Sequence, residues 1–199
     1  FFKLIQIIMN HNIKIFDLNS QKNKSFFNDV IFPVQTHSNN IVEIKTGKET
    51  LQACDGLIAS GHHNFSLGVK TADCAAICFY DNAKYGIIHA GWRGLVGGII
   101  EKMLSNFVSP KVFVSPLLNE FEIQKDDCYQ QIATKFGDKY FDIKELNSKS
   151  VIIFKFLEAL KSVLPKDAVF DLRDTFKNNN LASWRRDGTS KRNYTVIYG

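Results

Sequence analysis

The chain has 199 residues, of which 45% are hydrophobic, 23% are charged and 17 are Phe. That is enough chain for one domain with a substantial core, and it excludes disordered, collagen-like and repeat classes. The formal charge of +5 comes from Lys scattered along the chain, not from a basic stripe with interleaved aromatics, so no nucleic acid is expected as a partner while an anionic small substrate is compatible.

The opening stretch, FFKLIQIIMNHNIKIFDL, carries a short apolar run containing Lys3. It is too short to span a bilayer and lacks a small-residue cleavage site, so neither a membrane span nor a signal peptide is expected. Met9 is a candidate natural start. Residues 12–18 alternate as a strand does, and 20–29 read as a polar loop. NIVEIK (40–45) predicts a second strand, entered from PVQTHSN. DGLIAS (55–60) and FSLGVK (65–70) predict strands around the GHHN turn. AAICFY (75–80) and YGIIHA (85–90) predict a hairpin joined by DNAK. Leu95, Ile99, Met103 and Phe107 recur at helical spacing, predicting one helix over 94–108. KVFVS predicts a strand, KDDCYQQIATKFGDKYF an amphipathic helix with acids in its first turn, and SVIIFKFLEALKSVL a second helix stopped by Pro165. AVFDL predicts a strand, followed by a short helix to Leu181, and NYTVIY a closing strand. The sum is an α/β (α+β) fold with several hairpins and a mixed sheet. No linker divides it, so residues 1–199 are expected to form one domain.

The hairpin places chemistry. If DNAK closes a two- or four-residue turn, Phe79 faces Gly86 and Ala76 faces His89. Cys74, two residues from Ala76, then shares a face with His89. Diagonal neighbours on one face lie roughly 7–8 Å apart at Cα. A tetrahedral zinc, with bonds of about 2.3 Å to sulfur and about 2.0–2.1 Å to nitrogen, needs its ligand atoms under roughly 4 Å apart. Two inward-leaning side chains bridge that gap, whereas a three-residue loop would put them on opposite faces. His37, in a loop before a strand, is a candidate third ligand. One Cys and two His leave one coordination position open, which is the stoichiometry of a catalytic site and not of a structural one. The alternative is plain packing: buried free Cys and hydrogen-bonded His near strand ends are common. Cys78, about 13 Å along an extended strand from Cys74, reads as core. His62 and His63, in a polar turn, read as solvated. The four Cys form no CxxC pair and no dense framework, which favours a reducing compartment and a cytoplasmic location.

The segments QTHSNNIVEI, DGLIAS, TADC, HAGWRG, FDL and SWRRDGTSKR, in that order, resemble the bacterial multicopper polyphenol oxidase, or laccase-domain, family. The family is associated with purine nucleoside phosphorylase and adenosine deaminase activity. The resemblance runs over about residues 30–199, with 1–29 divergent. It implies a layered sandwich of mixed β-sheets packed between helices. It also implies one zinc held by His37, Cys74 and His89, with nucleoside and phosphate as small-molecule partners. Copper is the alternative metal, since thiolate and imidazole suit Cu(I) as well. Laccase chemistry, however, needs several coppers held by many His, and this chain has five His. The chain departs from the family pattern in having no Arg before Arg93, no Gly before Gly47, and Ser115 where the family has Gly.

Around the metal set, Cys74, His89 and Asp73 are the candidate catalytic residues. Asp73 is placed to orient a ligand His or accept a proton, or else to cap its loop. Arg93, Arg185 and Arg186 are the candidate substrate-binding residues. Arg93 precedes a helix and is suited to phosphate, with turn anchoring as the alternative. Three functions compete. The first is a zinc-dependent purine nucleoside enzyme, phosphorolytic or deaminating. The second is a metal-free hydrolase or deamidase with Cys74 as nucleophile and His89 as base. The third is a non-enzymatic, zinc-stabilised binding module. A copper-dependent polyphenol oxidase is the further alternative that the family name carries.

Overall fold

The structure, a computed structural model, describes residues 13–19, 27–146 and 149–199. The readings of the N-terminal apolar run and of Met9, and most of the 20–29 loop, lie outside the described residues. Thirteen strands and five helices are described, in the expected layered α/β (α+β) arrangement of mixed sheets. A six-stranded sheet forms the centre. In spatial order it consists of β12 (Val169–Phe170), β8 (Lys111–Val114), β6 (Ala75–Tyr80), β7 (Lys84–Ala90), β4 (Gly56–Ser60) and β3 (Ile41–Ile44). Its two outer pairs are parallel and the rest antiparallel. A four-stranded sheet runs β1 (Ile13–Phe16), β13 (Asn193–Tyr198), β5 (Ser66–Thr71), β2 (Val30–Ile31). An antiparallel three-stranded sheet runs β10 (Phe141–Leu146), β11 (Lys149–Phe154), β9 (Phe121–Ile123).

The period-two pattern of β6 and β7 builds both halves of the core. Ala75, Ile77, Phe79, Ile88 and Ala90 meet the helical layer through Leu95, Ile99, Met103 and Leu160. The alternate residues Ala76, Cys78, Tyr85 and Ile87 meet Leu67, Val69 and Ile197 of the four-stranded sheet. The central sheet is therefore covered by helices on one face and by a second sheet on the other, which is why its middle strands are apolar on both sides.

The β6–β7 register is the expected one, with Ala76 opposite His89 and Phe79 opposite Gly86. Asp81 closes the turn. Its N–H donates to the Lys84 carbonyl, and its carboxylate accepts from the N–H groups of Ala83 and Lys84.

Four helical expectations are corrected. The 94–108 segment is two helices, α1 (Trp92–Val96) and α2 (Ile99–Leu104). It breaks at Gly98, whose φ of 79° suits glycine and ends a helix. Phe107 lies beyond α2, where its ring packs on Phe79. The 125–141 segment is α3 (Asp127–Phe136), stopped by Gly137 at φ 82° and followed by one 3-10 turn before Phe141 enters β10. The 150–164 segment is half strand: Val151-Ile152-Ile153-Phe154 pairs into the β10–β11 hairpin, and only α4 (Phe156–Val163) is helical. β-Branched residues pack well on a pleated surface, and here that pairing overrides the helical spacing. No helix leads to Leu181; the chain there runs as turns tied to the core by Thr175 N–H donating to the Leu117 carbonyl.

All four cysteines are free. No helix among the described residues is long and apolar enough to cross a membrane.

Candidate metal centre

The strand register puts His89 near the end of β7, and Cys74 just before β6 on the same face. His37 arrives from the loop that precedes β3. The parallel β3–β4 pairing brings that loop beside Asp55, the residue just before β4. The ligand atoms of His37, Cys74 and His89 all lie within 4.8 Å of one another. Cys74 Sγ is 3.8 Å from His37 Nε2, and the two imidazoles meet edge to face, 4.8 Å between centroids. His89 is buried, Cys74 half-buried and His37 exposed.

The backbone here is unusual. His37 at φ 61° and Asp73 at φ 89° are two of the three non-glycine residues with positive φ among those described. Such backbones are uncommon and persist only where the surroundings fix them. The His37 turn is fixed by Asp55, which is fully buried. Oδ1 of Asp55 accepts from His37 N–H (3.0 Å) and pairs with His89 Nδ1 (2.8 Å). Oδ2 accepts from Thr36 N–H, Ser38 N–H and the Ser38 hydroxyl. The sequence marks Asp55 only as the start of the strand expected over 55–60. An acid opening an otherwise apolar strand was the available signal.

Asp73 has different partners. Its carboxylate accepts from the Thr175 hydroxyl at 2.7 Å and from Arg185 N–H at 2.8 Å, and its carbonyl accepts from Leu118 N–H. It ties the Cys74 loop to the start of α5 (Trp184–Asp187), while the carboxylate that bonds a site histidine belongs to Asp55.

Gly91 follows the hairpin because nothing larger fits. A Cβ there would lie 2.9 Å from Cys74 Sγ and 3.0 Å from His37 Cδ2. Its missing side chain is the space in which the thiol and the imidazole meet.

Electrostatics favour a thiolate. Burial raises the Cys74 pKa, but hydrogen bonds and charge from His37 and His89 outweigh it and bring the thiol down to about 6. Burial lowers the His89 pKa, but the Asp55 hydrogen bond and the Cys74 thiolate outweigh it and hold the imidazole up to about 9. Asp55 itself is held well below the usual carboxylate range: burial opposes this, and its His89 and backbone hydrogen bonds prevail.

One thiolate and two imidazoles at these separations fit a borderline-soft cation. The 3.8 Å S–N distance is close to the edge of a tetrahedron with zinc-length bonds. The three residues flank a cleft of about 760 Å³, whose wall includes Trp92, Arg93, Phe121, Trp184 and Arg185. The Arg93 guanidinium lies over the Trp92 ring, 4.5 Å from its centroid, and the Arg185 guanidinium over the Phe121 ring at 4.4 Å. Arg186, the third candidate, is not part of that wall. It donates to the carbonyls of Thr175, Phe176, Asn178 and Leu181 and pairs with Asp187, bracing the turn. Cys78 is core, with no exposure. His62 and His63 lie outside the ligand cluster, His62 on the surface and His63 against Phe65.

A family model described as multi-copper polyphenol oxidoreductase laccase matches residues 12–198. The chain belongs to this family. A protein from Clostridium acetobutylicum named purine nucleoside phosphorylase is 31% identical over 185 residues, covering 84% of this chain and 76% of that protein. A Staphylococcus saprophyticus protein of the same name is 30% identical over 145 residues, 59% of this chain and 55% of that protein. The chain thus spans about half the length of that relative. The crystal structure of Bacillus licheniformis YfiH superposes with a TM-score of 0.73 at 21% identity, covering 91% of this chain and 79% of that one. That likeness is one of fold.

Proposed function

We propose that this chain is a zinc-dependent purine nucleoside enzyme, acting by phosphorolysis, deamination or both, with nucleoside and phosphate as its small-molecule partners. The observation that carries the reading is the His37–Cys74–His89 cluster at the foot of a cleft with cationic and aromatic walls. The name purine nucleoside phosphorylase borne by these relatives supports the substrate class.

His37 Nε2, Cys74 Sγ and the His89 nitrogen left free by Asp55 would hold the metal. A bound zinc supplies Lewis-acid chemistry at the position its three protein ligands leave open. The chain's own residues do the rest. The Trp92, Phe121 and Trp184 side chains offer apolar faces for a purine. Arg93 and Arg185, each supported by a ring, offer charged donors to a phosphate. In phosphorolysis a phosphate oxygen bonds to ribose C1′, the C1′–N9 bond breaks with its electron pair going to N9, and the purine leaves after N9 takes up the proton that the phosphate gives up. Guanidinium donors would hold the attacking oxygen in line with that bond.

A second reading rests on one observation: His89 stands between Asp55 and Cys74, the order of a thiol hydrolase's orienting acid, base and nucleophile. One experiment separates the two. Metal content is measured on purified protein, and turnover is followed on a nucleoside panel with and without phosphate, before and after chelation. The expected result is about one zinc per chain, loss of turnover on chelation, and weakened phosphorolysis with unchanged zinc in Arg93→Ala. A metal-free preparation that keeps full activity would overturn the zinc reading. So would copper in several-fold excess accompanied by phenol oxidation.

A further inference from the structure

We infer that Asp55 is the positioning residue of the metal centre, a single carboxylate that fixes which nitrogen His89 presents and holds His37 in its turn. The inference rests on the reading of His37, Cys74 and His89 as a zinc site.

The two ligand histidines come from different parts of the chain, one on a loop and one on a strand. They meet on one atom. Asp55 Oδ1 accepts the His37 N–H at 3.0 Å and stands 2.8 Å from His89 Nδ1. Asp55 also grips the His89 main chain, since its carbonyl accepts the His89 N–H at 2.7 Å. His89 is therefore held at both ring and backbone by the same residue.

A carboxylate accepts and does not donate, so the Nδ1 beside it carries the proton. In the neutral ring, the form that takes a metal, that leaves Nε2 with the lone pair, facing the site. On the other side, three successive N–H groups, Thr36 to Ser38, converge on the same carboxylate. Released from it, the left-handed His37 turn would leave these donors unpaired. Asparagine has the shape of aspartate but cannot satisfy both sides. If its oxygen faces His89, its NH₂ meets the N–H groups of Thr36 and Ser38. If the amide turns over, its NH₂ faces Nδ1 and favours the tautomer that has lost the Nε2 lone pair. Carboxylates that orient metal-ligating histidines in this way are worth about 10–100-fold in metal affinity.

Two measurements test this, neither of which needs turnover. In the zinc-loaded wild type, ¹⁵N spectra of the imidazoles should show His89 protonated at Nδ1 and metal-bound at Nε2. Metal on Nδ1 would overturn the inference whatever the variants do. Zinc affinity is then measured by competition with a chromophoric chelator, alongside the melting temperature of the metal-free protein. Asp55→Asn should bind zinc about 10–100-fold more weakly. Ser38→Ala, which removes one donor from Oδ2 and leaves the His89 contact, should stay within about threefold, although both variants melt lower. An Asp55→Asn affinity within twofold of wild type, or an equal loss in Ser38→Ala, would overturn the inference. If Asp55→Asn does not fold, the wild-type nitrogen assignment decides. A wild type that binds no zinc fails this inference and the proposed function together. Expected zinc behaviour with no nucleoside turnover fails only the proposed reaction.

Discussion

Cys74 and Cys78 stand four residues apart on the same face at one strand, and their environments are opposites. Cys78 sits in the middle of β6, between its partners Ile87 and Phe113, with no exposure. Burial is the only influence on its thiol, and it pushes the pKa far up. Cys74 sits where the strand begins, at the cleft. Burial raises its thiol too, but two imidazoles reverse the direction and bring it to about 6. Withdrawal from water alone makes an inert thiol; a metal-binding or nucleophilic thiolate needs donors and positive charge beside it. One strand and the residue leading into it thus hold two cysteines in opposite settings. The difference lies in what the chain folds against each of them: Ile and Phe in one case, two His held by Asp55 in the other.

The largest expected effect tests that contrast directly. Cys74→Ser should lose its zinc, because a serine hydroxyl at neutral pH replaces a thiolate. The drop in affinity should exceed the about 10–100-fold that an orienting partner is worth. Elemental analysis after gel filtration checks it. A Cys74→Ser protein with one zinc per chain would erase the distinction between the two cysteines.

A second test uses pH. Zinc takes Cys74 as thiolate and His89 as neutral imidazole, so protons compete with it. Between pH 6 and 9 the thiol, at about 6, is already ionised, while His89, held up to about 9, still carries its proton. Binding therefore releases the His89 proton, and zinc affinity should rise about tenfold per pH unit through that window. Below about pH 6 the thiol must ionise as well, so the slope steepens. Cys78, with its pKa far above, contributes nothing there. Chelator competition across pH reads the slope, and a flat profile between pH 6 and 9 would contradict the raised imidazole.

The hairpin's share of this site was legible in sequence because a strand's period is two. With DNAK as a tight turn, Ala76 must face His89, and Cys74 must share its side. His37 was legible as a candidate because its loop leads into a strand. Asp55 was not. Its role depends on the parallel pairing of β3 with β4 and on a left-handed turn at residue 37, neither of which has a local signature. The same limit explains SVIIF. An apolar run that is strand or helix by length alone is decided by its partner, here β10, whose opening FDIK alternates apolar and polar as a strand does. Arg185 and Arg186, adjacent in sequence, went to different tasks because a four-residue helix sends consecutive side chains in different directions: one over Phe121, the other onto the carbonyls of the preceding turn.

The smallest effect concerns Cys78. Cys78→Ser keeps the size of the side chain and replaces a weakly polar thiol by a hydroxyl. At this position the strand partners are Ile87 and Phe113, within a core cluster that also holds Leu57 and Ala59, and the side chain has no exposure. The hydroxyl exchanges water for an apolar wall, which costs roughly 1–3 kcal/mol when no partner is gained. That loss should appear as a lower urea midpoint with an unchanged slope, since the folded surface stays the same. Zinc affinity should remain within about twofold of wild type, because residues four apart on a strand are about 13 Å apart, too far to share a metal. Loss of zinc from Cys78→Ser in step with loss from Cys74→Ser would mean that the metal centre depends on the packing of the whole strand. Separation of the two, stability falling at one cysteine and metal binding at the other, is the result expected from their opposite surroundings.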